Sequence, residues 1–219
     1  MAHEVTVLYD NESLDESVTP DWGFAALIIT GHGDRVLFDT GANGAILERN
    51  AAGLGVNLGD VSHVVISHWH WDHTGGLAAV LRHAPNATYH LPPGVGGMPA
   101  DVATEEVGSQ PVRIVDGVYS TGVLDGAEQA LVLMTTTGSF LVTGCAHPGV
   151  EALLEAAATV APPVGVLGGF HGFSRLERLE GLSRIYPCHC TQRTKDILKM
   201  YPDTASRCGA GFRLSLPST

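Results

Sequence analysis

The segment that most constrains this chain is Ser67-His68-Trp69-His70-Trp71-Asp72-His73-Thr74-Gly75-Gly76. It follows an apolar, β-branched run at 63–67 that reads as a strand, and it leads into residues 76–82, which read as a helix. Side chains alternate along extended backbone, so His68, His70 and Asp72 are expected on one side, and the turn into the helix brings His73 round to join them. Four ligand-type side chains this close together, beside two tryptophans, are not a solvated polar face. Neutral imidazole and carboxylate are the usual ligands of Zn2+, and also of Mn2+ or Fe2+. Composition agrees: the chain has 11 histidines against 12 lysines and arginines together, more imidazole than surface chemistry ordinarily requires.

With 219 residues, 44% of them hydrophobic and only 16% charged, the chain is long enough to bury a full core, and disorder is excluded. A formal charge of -11 argues against a nucleic-acid partner, which needs a broad basic face. No run of about 18 apolar residues is present, so no membrane span is expected. No secretory signal is visible at the start, and four cysteines (Cys145, Cys188, Cys190, Cys208) are too few for a disulfide scaffold. The expectation is a reduced, cytoplasmic protein whose cysteines serve as small buried apolar residues.

Strands are expected at 5–8, 25–30, 35–39, 63–67 and 87–91, then at 112–115, 130–135, 139–143, 164–167 and 184–186. Helices are expected at 43–52, 76–82, 150–158, 174–182 and 194–200, and a Gly- and Pro-rich loop or lid at 92–111. Strands precede helices within each half, and no linker separates the halves. This pattern predicts one α/β domain over 1–219, built as two packed mixed sheets with helices outside.

His-x-His-x-Asp-His after a strand resembles the metallo-β-lactamase-fold hydrolase superfamily. The likeness extends to Leu37-Phe-Asp-Thr-Gly41 and to Thr143-Gly-Cys-Ala-His147-Pro-Gly149. Asp10-Asn11, Trp22-Gly-Phe24, Gly168-Gly-Phe-His171 and His189-Cys-Thr191 resemble a narrower group of metal-dependent hydrolases. That group includes proteins like 7,8-dihydropterin-6-methyl-4-(β-D-ribofuranosyl)aminobenzene 5'-phosphate synthase. The resemblance implies a four-layer αββα sandwich and two divalent metal ions, with Zn2+ favoured over Mn2+ or Fe2+. It assigns His68, His70 and His147 to one metal, and Asp72, His73 and His189 to the other.

Dinuclear members usually supply a bridging aspartate before the last histidine. Here no Asp occurs between His147 and His189, and His171 fills the strand-end position. His171 is expected either to ligate a metal or to contact substrate, and the second metal is expected to bind more weakly for want of a bridging charge. Asp39 is expected to accept an imidazole N–H and fix a ligand's tautomer. Asp10, Asn11 and Trp22 have no role readable from spacing, and Trp69 and Trp71 are expected to pack or to wall the pocket.

These residues imply a hydrolase that uses a metal-bound hydroxide, with Asp72 orienting it and His171 stabilising developing charge. A small, anionic phosphoester or phosphodiester is the expected substrate, with Arg113, Arg175, Arg193 and Lys195 as the available anion contacts. The alternatives are lactam or thioester hydrolysis, pterin-pathway synthase chemistry, or a non-catalytic metal- or ligand-binding role. Redox di-iron chemistry is disfavoured, because that branch resembles His-x-Glu-x-Asp-His and position 70 is His.

Overall fold

A computed structural model describes residues 1–94, 97–126 and 128–218. Strands β1 (Ala2–Tyr9), β2 (Ala25–Ile29) and β3 (Arg35–Phe38) are followed by helix α1 (Gly44–Gly53) and strand β4 (His63–Val65). Two short helices, α2 (Trp71–Thr74) and α3 (Leu77–His83), lead to β5 (Thr88–Leu91) and β6 (Thr104–Glu106). The second half contains β7 (Val112–Val115), β8 (Val118–Ser120), β9 (Leu131–Thr135), β10 (Gly138–Thr143), α4 (Val150–Ala158) and β11 (Pro163–Gly169). It closes with β12 (Arg184–Cys188), α5 (Thr194–Met200) and β13 (Arg213–Pro217).

Seven strands form one sheet in the order β13-β1-β2-β3-β4-β5-β6, and six form the other in the order β12-β11-β10-β9-β8-β7. Both are mixed. β3 to β6 run parallel, as do β10 to β12, while the remaining neighbours are antiparallel.

Period-2 alternation explains the layering. Ala26 and Ile28, Val36 and Phe38, Leu131 and Leu133, and Phe140 and Val142 enter the cluster between the sheets. Their neighbours turn outward. Leu27 and Leu37 meet Leu47 and Ala51 of α1 and Val80 of α3, whereas Val132 and Leu141 meet Leu153 and Ala157 of α4 and Ile197 of α5. Four layers result, helices outside two packed sheets.

Several local expectations are corrected. Residues 71–74 are helical rather than extended, so Asp72 reaches its neighbours from the first turn of α2. The expected loop at 92–111 contains β6, whose three residues are all exposed and so carry no apolar signal; residues 95 and 96 of that stretch lie outside the described residues. Strands β8 and β13 were not expected. The helix expected at 174–182 is only a 3-10 turn, Leu176–Leu179. Leu176, Leu179 and Leu182 are all buried, and a spacing of three suits the three residues per turn of that helix.

The helical corner after His70 is pinned to the end of β3. Thr40 donates both its N–H and its hydroxyl to the His73 carbonyl, at 2.8 and 2.9 Å, and Gly76 N–H donates to the Gly41 carbonyl. A Cβ on Gly76 would fall on the Thr40 carbonyl oxygen. Gly76→Ala is therefore expected to cost about 1–3 kcal/mol by overpacking, read as a lower urea midpoint with an unchanged m-value.

Candidate metal centre

The candidate residues converge where the two sheets present strand and loop ends side by side. Ligand atoms of His68, His70 and His147 lie within 4.8 Å of one another, and so do those of Asp72, His73 and His189. Both groups cross the sheet interface. Residues 68–73 follow β4 of the first sheet, whereas His147 follows β10 and His189 follows β12 of the second. His171, after β11, belongs to neither group. It is exposed, and its ring centroid lies 5.1 Å from that of His147.

Left-handed backbone delivers several of these side chains. Asp39, Ala146, His171 and His189 have φ of 59°, 58°, 43° and 50°, each just beyond the end of a parallel strand. Non-glycine residues seldom adopt this region, which costs on the order of 1–3 kcal/mol each and persists where the surroundings enforce it. Those surroundings are visible. Glu128, fully buried, accepts N–H bonds from Cys145, Ala146 and His147 at 2.8, 3.0 and 2.8 Å, holding the turn that carries His147. Asp10 accepts the His189 N–H at 2.9 Å.

Hydrogen bonds fix which ring nitrogen carries each proton. Asp39 accepts the Ser67 N–H and the Ser67 hydroxyl, both at 2.7 Å, and lies 2.7 Å from His73 Nδ1, so His73 donates from Nδ1. With its one proton committed to Asp39, the Ser67 oxygen accepts from His68 Nδ1 at 2.8 Å. Asn11 is oriented by the Gly23 N–H and the His189 carbonyl, so its Oδ1 accepts from His189 Nδ1 at 3.0 Å. In all three rings the Nε2 lone pair is therefore left for the site. Nε2 of His68 and Nε2 of His189 are buried with no hydrogen-bond partner, a costly arrangement unless something else uses them.

Electrostatics follow from this burial. Burial, aided by neighbouring imidazoles, pushes His68 and His73 down to about 3, so both rings are neutral. Burial also pushes Asp39 up to about 7, against the pull of His68 and the Ser67 donors. Burial opposes ionisation of Asp72, but His189 and His73 outweigh it and hold the carboxyl below its usual range. Burial likewise opposes charging of His189, and Asp72, 3.5 Å away, outweighs it and raises the ring. Trp22 Nε1 donates to Asp72 Oδ2 at 2.9 Å.

The centre is closed at the bottom and open at the top. His68, Asp72 and His73 are buried, whereas His70, His147 and His171 are exposed, with Trp22 and Trp71 exposed beside them. A cavity of ≈ 330 Å³ adjoins the mouth, lined by His147, Phe170, His171, Phe173 and Arg175 among others. A larger one of ≈ 660 Å³ lies behind His189, where Asp10 and Asn11 engage its N–H groups rather than Nε2. Of the expected anion contacts, Arg175 is paired with Glu151, Arg113 with Asp116 and Arg193 with Asp196; only Arg175 reaches the mouth, and Lys195 lines the cavity behind.

Sequence reasoning missed Ser67, Glu128 and the work of Asp10, Asn11 and Trp22. Glu128 sits in a polar turn region with no motif around it, so nothing local marked it. Asn11 and Trp22 act across 178 and 50 residues, separations that no local pattern carries.

Residues 20–113 match the Metallo-beta-lactamase superfamily. That match spans less than half of the 219 residues, and the chain as a whole adopts the metallo-beta-lactamase fold. It aligns over 99% of its length with the whole of Tm1679, described as a metal-dependent hydrolase of the beta-lactamase superfamily, at 25% identity and a TM-score of 0.80. It is also 23% identical, over 72% of its own length and 75% of the relative's, to the 7,8-dihydropterin-6-methyl-4-(beta-D-ribofuranosyl)-aminobenzene-5'-phosphate synthase of Methanocaldococcus jannaschii. A shorter match, 38% identical over 89 residues, covers 37% of this chain and 20% of the atrochrysone carboxyl ACP thioesterase of Aspergillus fumigatus. Among the described residues no helix is long and apolar enough to cross a membrane.

Two outcomes follow. In metal-free protein, 15N NMR of the imidazoles should show His68 and His73 neutral and protonated at Nδ1 from pH 7 down to about pH 4; a free-histidine titration near 6.5 would contradict the network. Ser67→Ala should weaken Zn2+ binding by roughly 10–100-fold, because it releases His68 and one donor to Asp39 together; calorimetric titration of the metal-free protein checks this.

Proposed function

We propose that this protein is a metal-dependent hydrolase of small phosphoesters or phosphodiesters. The observation that carries the reading is the convergence of six ligand-type side chains beneath an open mouth, two of them, His68 and His189, with a buried and unpartnered Nε2. The donor set fits divalent metal: five imidazoles and one carboxylate suit Zn2+, with Mn2+ or Fe2+ also compatible. His68, His70 and His147 would hold one cation, and Asp72, His73 and His189 a second. Cations held there would supply Lewis acidity toward an ester oxygen and make water a nucleophile near neutral pH.

The chain's own groups divide the remaining work. Asp39, through Ser67 and directly, keeps His68 and His73 in the tautomer whose Nε2 faces the site. Trp22 and His189 hold the Asp72 carboxylate ionised and oriented, so that it can accept a hydrogen bond from the attacking water. His171 stands at the mouth outside both groups, placed to donate to a developing oxyanion or to the leaving group. The exposed tryptophans wall the entrance. An anionic, tetrahedral phosphoryl centre suits paired cations in a chain with few free basic residues, and the pterin-pathway relative's name itself contains a phosphate ester. The thioesterase match favours a second reading, thioester hydrolysis at the same centre.

Elemental analysis of protein purified without chelator should find close to two divalent cations per chain. A panel of phosphodiester, phosphomonoester, lactam and thioester substrates should then show turnover of the phosphoesters. Preferred thioester turnover would move the assignment to the second reading, and metal-free, inactive protein would refute both. Asp72→Ala should lower kcat by roughly 10²–10⁴-fold with an unchanged circular dichroism spectrum, and full retention of activity would remove Asp72 from the scheme.

A further inference from the structure

Two cysteines lie at the same centre and are not used by the scheme above. Cys145 is buried, its Sγ 3.2 Å from His73 Nε2 and 3.3 Å from Cys190 Sγ. Its sulfur forms one close group with His68 and His73, and another with His189 and Cys190, each drawn within 4.8 Å. Among the described residues outside the two histidine clusters, Cys145 alone shares such groups with members of both: His68 of the first, His73 and His189 of the second. It therefore lies at the junction between them.

The fold makes room for this sulfur pair. A Cβ on Gly169 would lie 2.7 Å from Cys190 Sγ and would collide with the Gly144 carbonyl, so a side chain there would displace the pair. Cys145 owes its position to the Glu128 carboxylate, which accepts its N–H at 2.8 Å. The independent sign that a ligand belongs here is His189 Nε2, a fully buried nitrogen without a hydrogen-bond partner in the same group as both sulfurs.

Charge gives the reason. Six expected ligands include one carboxylate, Asp72, and five imidazoles, so a single negative charge among them would face two dications. A thiolate at the junction adds a second negative charge where both cations could share it, and a coordinating thiol loses its proton on binding. We propose that Cys145 is a thiolate ligand of this metal centre, placed between its two halves, with Cys190 as the neighbour that donates S–H to it. Metal binding then releases the Cys145 proton to solvent, with no change of oxidation state. The consequence is selectivity, because thiolate favours Zn2+ over Mn2+ and Mg2+.

This inference rests on the centre being metal-binding, and its test separates the two ideas. Metal-free, reduced protein is titrated with Co2+ while the near-ultraviolet sulfur-to-cobalt charge-transfer band and the visible d–d bands are followed. The native protein should show both. Cys145→Ser should lose the charge-transfer band, keep d–d bands from the remaining ligands, and bind Zn2+ more weakly by at least about tenfold, in the range that loss of a metal-supporting group produces. Cys190→Ser should keep the charge-transfer band, and Cys145→Asp should shift preference from Zn2+ toward Mn2+. Visible bands without a sulfur band in the native protein, or a sulfur band that survives Cys145→Ser, would overturn the thiolate assignment and leave the metal centre standing. Absence of any Co2+ or Zn2+ binding would overturn both. A Cys145–Cys190 disulfide in protein prepared under reducing conditions, seen as two missing thiols, would also overturn it.

Discussion

The centre depends on the Asp39 carboxylate. It is fully buried, it stands on a left-handed residue at the end of β3, and it collects the Ser67 N–H, the Ser67 hydroxyl and His73 Nδ1 at 2.7 Å each. A buried carboxylate with several donors is tolerated because its lone pairs are all engaged. Two of the rings around the site inherit their protonation from it, His73 directly and His68 through Ser67. The carboxylate also explains why Gly144 lacks a side chain, since a Cβ there would lie 3.0 Å from Asp39 Oδ2 and would strike the Ser67 hydroxyl. One acid thus sets the chemistry of the deep half of the pocket and the shape of the strand end that covers it.

The shallow half is organised differently. Glu128 gathers three successive N–H groups and so stabilises the left-handed turn at Ala146 that sends His147 toward His70, whose ring nitrogens come within 3.2 Å. Its neighbour Gln129 donates its side chain to the Ile66 carbonyl and its N–H to the Ser67 carbonyl. The loop before β9 therefore clamps both walls of the site at once. The left-handed backbone at Ala146 and His189 is maintained by such buried partners, Glu128 and Asp10, as expected when geometry is held for binding rather than for stability.

What could be read in advance follows from how local each signal is. The four side chains of residues 68–73 stand together in sequence, and the strands flanking the interface alternate plainly enough that the layer order was legible. Asp72 was placed on extended backbone because alternation continues through Trp71, whereas Thr40 and Phe24 capture the carbonyls of His73 and Asp72 and a helical turn forms instead. Strand β13 alternates exposed and buried residues, but it is short and ends in proline. Glu128, Asp10 and Asn11 are ordinary polar residues until the sheets meet. Cys145 read as a small apolar filler, and only tertiary structure shows what its sulfur faces.

Because each ligand group takes members from both sheets, a cation held by either would tie the loop after β4 to strand ends of the second sheet. His70 and His147 are 77 residues apart, so the tie closes a long stretch of chain, the kind of constraint that weighs most on the unfolded ensemble. The metal would then act as a fastener between two halves of the polypeptide as well as a reagent. Availability of metal in the surroundings would set how long the folded chain survives, and protein made in its absence would be the form first lost to heat or protease.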